Sequence, residues 1–374
     1  MSDPTAWQSP QYGAAPGWTP PPKPGLIPLR PLTFGQLLST PFQVMRRNIG
    51  ALFGPAVLIQ AITLLATLAI VGAAAGLFAY RVDRATDAGR SAIEAGGVAT
   101  VILAGLVAVA IGVIGSGFLQ GVVVIEVANG TLGHRPRAGQ LWRATRGRRW
   151  ALAGYVALLA AALLLALAVL AGIVAALIVP GLGQSGGGRA TLVTLGVVVG
   201  VIGGLGFAVL AAWLWTRTSL TAAAIVLERL GVRQGIARSW ALTRRGFWRA
   251  FGAQALVIGI CYVASEIIST PVSLVFSFGM QLAFPTGTPT ASDLSDARGV
   301  GLAAASYGVL LLLSLVIGSV TGVIEAATPV LVYIDQRMRR EGLDLTLTRY
   351  AEDVQAGRPV GDPFATPNYA AARP

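Results

Sequence analysis

The stretch ALAGYVALLAAALLLALAVLAGIVAALIVP, at residues 151–180, decides the fold because it has no charged side chain over its whole length. A helix needs ~20 apolar residues to cross the ~30 Å hydrocarbon core of a bilayer. Comparable stretches recur along the chain, and the predicted spans are residues 51–79, 98–125, 151–180, 191–215, 252–284 and 299–334. These runs are too long and too numerous for buried core helices. The sequence therefore predicts an all-α integral membrane protein with six transmembrane helices.

The composition agrees with a membrane environment and offers little for catalysis. Of the 374 residues, 54% are hydrophobic and 12% are charged, which is about half the charged fraction of a soluble domain. The single cysteine, Cys261, excludes an intramolecular disulfide and a cysteine-based metal cluster. The single histidine, His134, cannot form a histidine metal site alone. We therefore expect no catalytic residue, no metal, no cofactor and no enzymatic activity.

The positive charges are distributed unequally between the two sides of the predicted spans. Of the 28 Lys and Arg residues, 23 lie on the side that holds both termini. The opposite loops contain the others, which are Arg81, Arg84, Arg90, Arg189 and Arg298. The positive-inside rule then predicts cytoplasmic termini, and the arginine-rich, Ala- and Gly-rich composition is typical of a GC-rich bacterium. We expect a bacterial cell membrane protein whose basic side faces anionic lipids of the bilayer rather than nucleic acid.

An internal repeat organises the chain. Residues 132–154 align without gaps on residues 230–252 at an offset of 98. The identical positions include three pairs, which are Trp142 and Trp240, Arg146 and Arg244, and Trp150 and Trp248. A weaker first copy includes Phe42, Arg46, Leu52 and Gly54. This period predicts three hairpins of transmembrane helices, each preceded by a cytoplasmic amphipathic helix.

The repeated Trp and Arg residues form the candidate functional surface. Ile236, Trp240, Thr243 and Phe247 recur at the spacing of one helical face. A helix with aromatic residues on one face and Arg on the other settles in the headgroup layer. The candidate inner-leaflet or partner surface comprises Trp142, Arg146, Trp150, Trp240, Arg244 and Trp248. Membrane anchoring alone is one interpretation, and the other is a non-enzymatic module that organises anionic lipids, or a membrane or cytoplasmic protein partner.

Two carboxylates interrupt the apolar spans. Glu266 lies near the middle of the fifth span before Pro271, and Glu325 precedes Pro329 in the sixth. A carboxylate at such a depth is costly and is expected to face the interior of the helix bundle. These intramembrane polar candidates support an alternative function, a transporter or lipid carrier with a central polar site at Glu266. A polar structural contact is the other interpretation of both residues.

Glycines four residues apart occur in three spans. They are Gly117 and Gly121, then Gly196, Gly200 and Gly204, then Gly318 and Gly322. Such stripes let helix backbones approach closely. We expect them to pack within the bundle, with self-association of the protein as the alternative.

The segments at the two ends have the composition of disordered tails. Residues 1–31 are proline-rich and polar, and residues 351–374 lack an apolar pattern. Such segments bury too little apolar surface to offset the entropy of ordering. The sequence therefore predicts a membrane domain at 32–350 between two disordered cytoplasmic tails, with partner docking as the alternative role of the first tail.

The end of the sixth span carries a family resemblance. The segment PVLVYIDQRMRREGLDL (329–345), the segment GLIPLRPLT (25–33) and the Arg46-Arg47-Asn48 sequence are similar to a family of actinobacterial multi-pass membrane proteins. That family is related to the membrane domain beside some bacterial glycerophosphodiester phosphodiesterases. The resemblance implies a six-helix membrane domain, without the phosphodiesterase catalytic domain, and no functional residues can be carried over.

Overall fold

The computed structural model describes residues 25–84, 90–144, 146–182, 187–283 and 297–365, and every regular element in these ranges is helical. The helices are α1 (Phe34–Arg47), α2 (Ile49–Asp83), α3 (Arg90–Thr131), α4 (Ala138–Ala144), α5 (Arg149–Leu182), α6 (Gly187–Thr218), α7 (Thr221–Leu227), α8 (Val232–Thr243), α9 (Phe247–Ala283), α10 (Ala297–Glu341) and α11 (Leu343–Gln355). A short 3-10 turn at Arg146–Arg148 precedes α5.

Six apolar stretches are long enough to cross a membrane. They are Ile49–Val82, Leu103–Thr131, Trp150–Pro180, Ala190–Leu227, Phe247–Leu282 and Tyr307–Glu341. Each overlaps one predicted span, so the prediction of a multi-pass all-α protein is confirmed. The helices extend beyond the apolar runs because flanking polar residues continue the same backbone hydrogen bonding.

Neighbouring long helices pack in pairs, α2 with α3, α5 with α6 and α9 with α10, and α10 also contacts α1, α2 and α3. The predicted glycine stripes contribute to this packing. A Cβ atom built on Gly196 would lie 2.5 Å from Ile178 Cγ1 of the paired helix, and one on Gly322 would lie 3.2 Å from Leu119 Cδ2. Packing within the bundle is therefore confirmed at these glycines, whereas self-association stays a prediction.

The buried core lies at one end of the bundle. All of α7 is buried, as are residues 330–338 of α10. By contrast, the most apolar window of Trp150–Pro180 contains no buried residue, as expected for a helix surrounded by lipid. We call the densely packed end, which carries α1, α4, α8 and α11, the basic end.

Residues on both sides of the predicted membrane domain pack against the bundle. Ile27 and Leu29, within the predicted first tail, are buried, and the backbone N–H of Leu26 donates to the Gly130 carbonyl at 2.7 Å. Beyond residue 350, α11 continues to Gln355 and Phe364 is buried. These apolar residues, which lie inside the predicted tails, thus pack on the basic end. The remaining parts of both predicted tails lie outside the described residues.

Candidate functional site

An open pocket of about 820 Å³ lies at the basic end, where α6 ends, α8 is joined to α9, and α10 ends. We call it the arginine pocket. Its lining residues are Trp213, Arg217, Arg244, Arg245, Gly246, Phe247, Trp248, Arg249, Gln336, Arg339 and Arg340. Arginine and aromatic side chains dominate this set, and it contains no acidic side chain.

The junction between α8 and α9 shapes the pocket. The helix α8 ends at Thr243, whose hydroxyl donates to the Ser239 carbonyl at 2.9 Å. The chain then turns through Gly246, where a Cβ atom would lie only 2.6 Å from Gln336 Nε2. Trp240 and Phe247 therefore belong to two different helices, and the single helical face predicted for them is interrupted.

Arg217, near the end of α6, lies among three aromatic rings. Its guanidinium carbon is 5.4 Å from the ring centroids of both Trp240 and Phe247, and 5.8 Å from that of Trp213. These distances allow cation–π attraction. The Trp213 and Trp240 rings meet edge to face with centroids 5.2 Å apart. The aromatic residues at the junction thus fix the position of one arginine.

Two donor nitrogens of Arg217 have no partner. Both Nε and Nη1 are buried and form no hydrogen bond within the described ranges. Buried polar atoms in proteins are nearly always hydrogen-bonded, and an unmet guanidinium donor is costly. An anionic ligand with oxygen acceptors would satisfy these two atoms.

Asp335 neutralises part of the pocket wall. Its carboxylate is fully buried, accepts the backbone N–H of Leu32 at 2.9 Å, and pairs with Arg249 and Arg339 at 3.0 Å each. Both of these arginines also donate to the Leu32 carbonyl at 2.6 Å. This network joins α9 and α10 to the chain just before α1.

A second buried carboxylate, Glu228, is also fully committed to internal partners. Arg238 is 2.9 Å from Glu228 and 2.7 Å from Glu341, and Arg337 is 3.0 Å from Glu341. The Tyr333 hydroxyl donates to Glu228. Burial alone would lower the pKa of Arg238, but its bonds to Glu341 and Glu228 raise it above the ordinary value. These ion pairs fix α8 against α10 beside the pocket.

The charges of the remaining pocket arginines are not balanced by carboxylates of the described residues. Arg217, Arg244 and Arg245 have no carboxylate partner in the part of the chain described by the structure. Arg340 donates only to the Ala241 carbonyl, at 3.1 Å. The pocket therefore combines a fixed, aromatic-flanked guanidinium with further uncompensated cations, which suits a ligand rich in negatively charged oxygen atoms.

The predicted surface residues are divided by the structure. Trp240 contacts Arg217, and both Arg244 and Trp248 line the pocket. Trp150 is 90% exposed and does not line it. The side chains of Trp142 and Arg146 lie outside the described residues.

The two intramembrane candidates also separate. The Glu266 side chain is exposed on the surface of α9, so the expectation that it faces the bundle interior was wrong. Glu325 is also exposed, but it lines a second, open cavity of about 480 Å³ between α2, α3, α6 and α10. Of these two carboxylates, Glu325 is therefore the one that lines a cavity, and a functional role for either residue stays a prediction.

Among the described residues, no group of three or more His, Cys, Asp or Glu side chains could hold a metal ion. No family model, no curated protein and no solved structure matches this chain. The function must therefore be inferred from the geometry of the sites themselves.

Sequence reasoning missed Arg217, Glu228 and Asp335 as members of the site. A usable signal existed for Arg217, which follows Trp213 and Trp215 at the end of a span. No comparable signal existed for Glu228, because its partner Tyr333 lies 105 residues away in sequence.

Proposed function

We propose that this multi-pass membrane protein binds the phosphate group of an anionic phospholipid in the arginine pocket. The observation that carries the proposal is the pair of buried, unpartnered Arg217 nitrogens in a pocket without a lining carboxylate. Each of these guanidinium nitrogens can donate a charge-assisted hydrogen bond to a phosphate oxygen. Arg244 and Arg245 supply additional positive charge for the same group.

Aromatic residues support a lipid rather than a soluble anion as the ligand. Trp213 is 38% exposed and Trp248 is 77% exposed, although both lie beside arginines. Tryptophan favours the boundary between hydrocarbon and headgroups, because its ring is apolar and its N–H is polar. A lipid could place its phosphate against Arg217 and its acyl chains along the exposed apolar surfaces of α6 and α9.

The orientation and the repeat belong to the same proposal. The short helices α1, α4 and α8 each precede a long helix pair, in agreement with three related hairpins. With the positive charges on the side of this end, we infer that the basic end faces the cytoplasm of a bacterial cell and the anionic inner leaflet. The relation to the membrane domain beside glycerophosphodiester phosphodiesterases stays a prediction.

The proposed activity is binding rather than catalysis. The pocket lining supplies arginine donors, aromatic rings and the Gln336 amide, and these groups hold an anion well. General acid–base catalysis requires a group that exchanges protons near neutral pH, which arginine does not. The protein would thus organise lipids, or partners that recognise the bound lipid, at the inner leaflet.

Lipid retention tests the proposal. The purified full-length protein is exposed to equimolar phosphatidylglycerol and phosphatidylcholine, and native mass spectrometry counts the lipids that remain bound. Both lipids carry a phosphodiester, but the choline cation makes phosphatidylcholine neutral overall and is repelled by Arg244 and Arg245. We therefore expect a preference for phosphatidylglycerol of roughly tenfold, or about 1.4 kcal/mol. The triple variant Arg217→Gln, Arg244→Gln, Arg245→Gln should lose that preference.

A matched control separates the pocket from overall charge. The triple variant Arg143→Gln, Arg233→Gln, Arg349→Gln removes the same number of charges from exposed positions outside the pocket, and it should bind like the parent. Equal losses in both triple variants, or an unchanged preference in the pocket variant, would contradict the proposal. Complete displacement of the lipid by excess inorganic phosphate would instead identify free phosphate as the ligand.

A further inference from the structure

The Glu325 cavity is a second candidate site, and its chemistry is opposite to that of the arginine pocket. Its volume of about 480 Å³ lies within the range of small-molecule sites in proteins. The polar side chains that line it are Gln60, Thr63, Ser116, Gln120, Ser219, Thr321 and Glu325. Glu325 is the only ionisable side chain in this lining, so the cavity carries a single negative charge when that carboxylate is ionised.

The key polar groups of the cavity are not used by the fold. Within the described ranges, the carboxylate of Glu325 and the side-chain amides of Gln60 and Gln120 form no hydrogen bond and no ion pair. By contrast, the hydroxyls of Ser116 and Thr321 donate to carbonyls of their own helices, at 2.8 and 3.0 Å. The first three groups therefore remain available to a ligand.

Glycines keep these groups at the cavity wall. A Cβ atom on Gly115 would lie 2.5 Å from Thr63 Oγ1, and one on Gly318 would lie 3.1 Å from Gln60 Nε2. Both glycines line the cavity themselves. A larger residue at either position would push a polar side chain of α2 out of place, so the backbone is arranged around them.

The remaining lining is apolar and includes Ile59, Leu119 and the ring of Trp215. A small hydrated metal ion binds oxygen ligands and gains nothing from this apolar surface, whereas an organic cation can pack against it. The one carboxylate balances one positive charge, and the amide oxygens of Gln60 and Gln120 can accept further N–H bonds.

We propose that the Glu325 cavity binds a small organic monocation, a primary amine with an apolar body. The ammonium group donates to Glu325 and to the two glutamine amide oxygens, and the apolar body lies against Ile59, Leu119 and Trp215. This site is independent of the lipid site, because the two cavities share no lining residue. It gives the bundle a ligand inside the membrane in addition to one at its surface.

Calorimetric titration with 2-phenylethylamine tests the proposal. The full chain is reconstituted in phosphatidylcholine nanodiscs at neutral pH, where the amine is charged. We expect saturable binding that weakens at least tenfold in Glu325→Gln, which preserves size but removes the charge. Phenylacetate, with a similar body and the opposite charge, should not bind.

Glu266→Gln is the matched control, because it makes the same change in a neighbouring helix at a residue that does not line the cavity. It should bind the amine like the parent. A second variant, Gln60→Leu, should weaken binding about threefold through the loss of one hydrogen bond. Absence of binding in the parent, equal affinities of parent and Glu325→Gln, equal binding of phenylacetate, or an equal loss in Glu266→Gln would each overturn the proposal.

Discussion

The arginine pocket and the Glu325 cavity differ in the sign of the charge that has no internal partner. At the basic end the buried carboxylates of Glu228 and Asp335 are committed to internal ion pairs, which leaves Arg217 with unpartnered nitrogens. Among the described residues that line the second cavity, Glu325 is the only ionisable one. The sign of the uncompensated charge therefore distinguishes the two sites and predicts the charge of each ligand.

The difference between the two sites also shows which charges hold the helices together. A buried ion pair is costly to form and costly to break, because a lone buried charge cannot recover its hydration. Asp335 and Glu228 join helices that are distant in sequence, whereas the side chains of Arg217 and Glu325 form no hydrogen bond and no ion pair with the described part of the chain. We conclude that the uncommitted charges are the candidates for ligand binding.

The largest effect is expected when a charge that holds helices together is removed. Asp335→Ala leaves Arg249 and the Leu32 N–H without their buried acceptor, so we expect a loss of about 3–5 kcal/mol in the free energy of unfolding. Chemical unfolding in detergent measures it. Asp353→Ala breaks only the exposed pair with Arg358 and should cost under about 1 kcal/mol. Similar costs for both variants would show that the Asp335 network does not hold the basic end together.

The next largest effects are expected when each binding-site variant is tested with both ligands. Arg217→Gln should reduce phosphatidylglycerol binding about tenfold and leave amine affinity unchanged, because the cavities share no lining residue. Glu325→Gln should do the reverse, with a loss of about tenfold, or 1.4 kcal/mol, in amine affinity. Native mass spectrometry and calorimetry on the same preparations provide both numbers. Parallel losses of both ligands in either variant would indicate one coupled site rather than two.

The aromatic frame of Arg217 predicts a smaller effect. Trp240→Ala removes a ring 5.4 Å from the guanidinium carbon and should weaken phosphatidylglycerol binding about threefold to fivefold, which corresponds to one cation–π contact. Trp150→Ala changes the tryptophan that aligns with Trp248 in the predicted repeat, and because Trp150 does not line the pocket this variant should leave binding unchanged. Lipid retention is again the measurement, and equal losses in the two variants would mean that tryptophan acts only as a general membrane anchor.

The smallest predicted effect separates charge from geometry. Arg217→Lys keeps the positive charge but loses the planar donors that match a phosphodiester, so we expect about twofold to threefold weaker lipid binding. The same retention assay is sufficient if Arg233→Lys is the control. A lysine variant as weak as Arg217→Gln would indicate that paired hydrogen bonds, rather than charge, carry the affinity.

Much of the fold was predictable because membrane insertion is a local property of sequence. Each apolar run is long enough to identify a span without knowledge of its neighbours. The repeated residues also led to Trp240, Arg244 and Trp248, three members of the pocket lining or its aromatic frame. The pattern located this end of the bundle as the functional surface before any contact was known.

The direction in which individual side chains point from their helices was not predictable. Ser269 and Thr270 lie on the same face of α9 as Glu266, so periodicity could group these polar residues but could not decide whether their face meets protein or lipid. Likewise, α8 ends at Thr243, and the position of Arg217 between Trp240 and Phe247 depends on how α6, α8 and α9 pack. Such tertiary contacts leave no trace in the spacing of residues along one helix.

The most direct test of the central claim is a titration of the purified protein with dihexanoyl phosphatidylglycerol, followed by tryptophan fluorescence. Trp213 and Trp240 contact Arg217, so a phosphate bound there should change their emission. The account predicts a saturable change in the parent and in Arg233→Gln, and roughly tenfold weaker binding in Arg217→Gln. An Arg217→Gln protein that binds this lipid with the affinity of the parent would contradict the account.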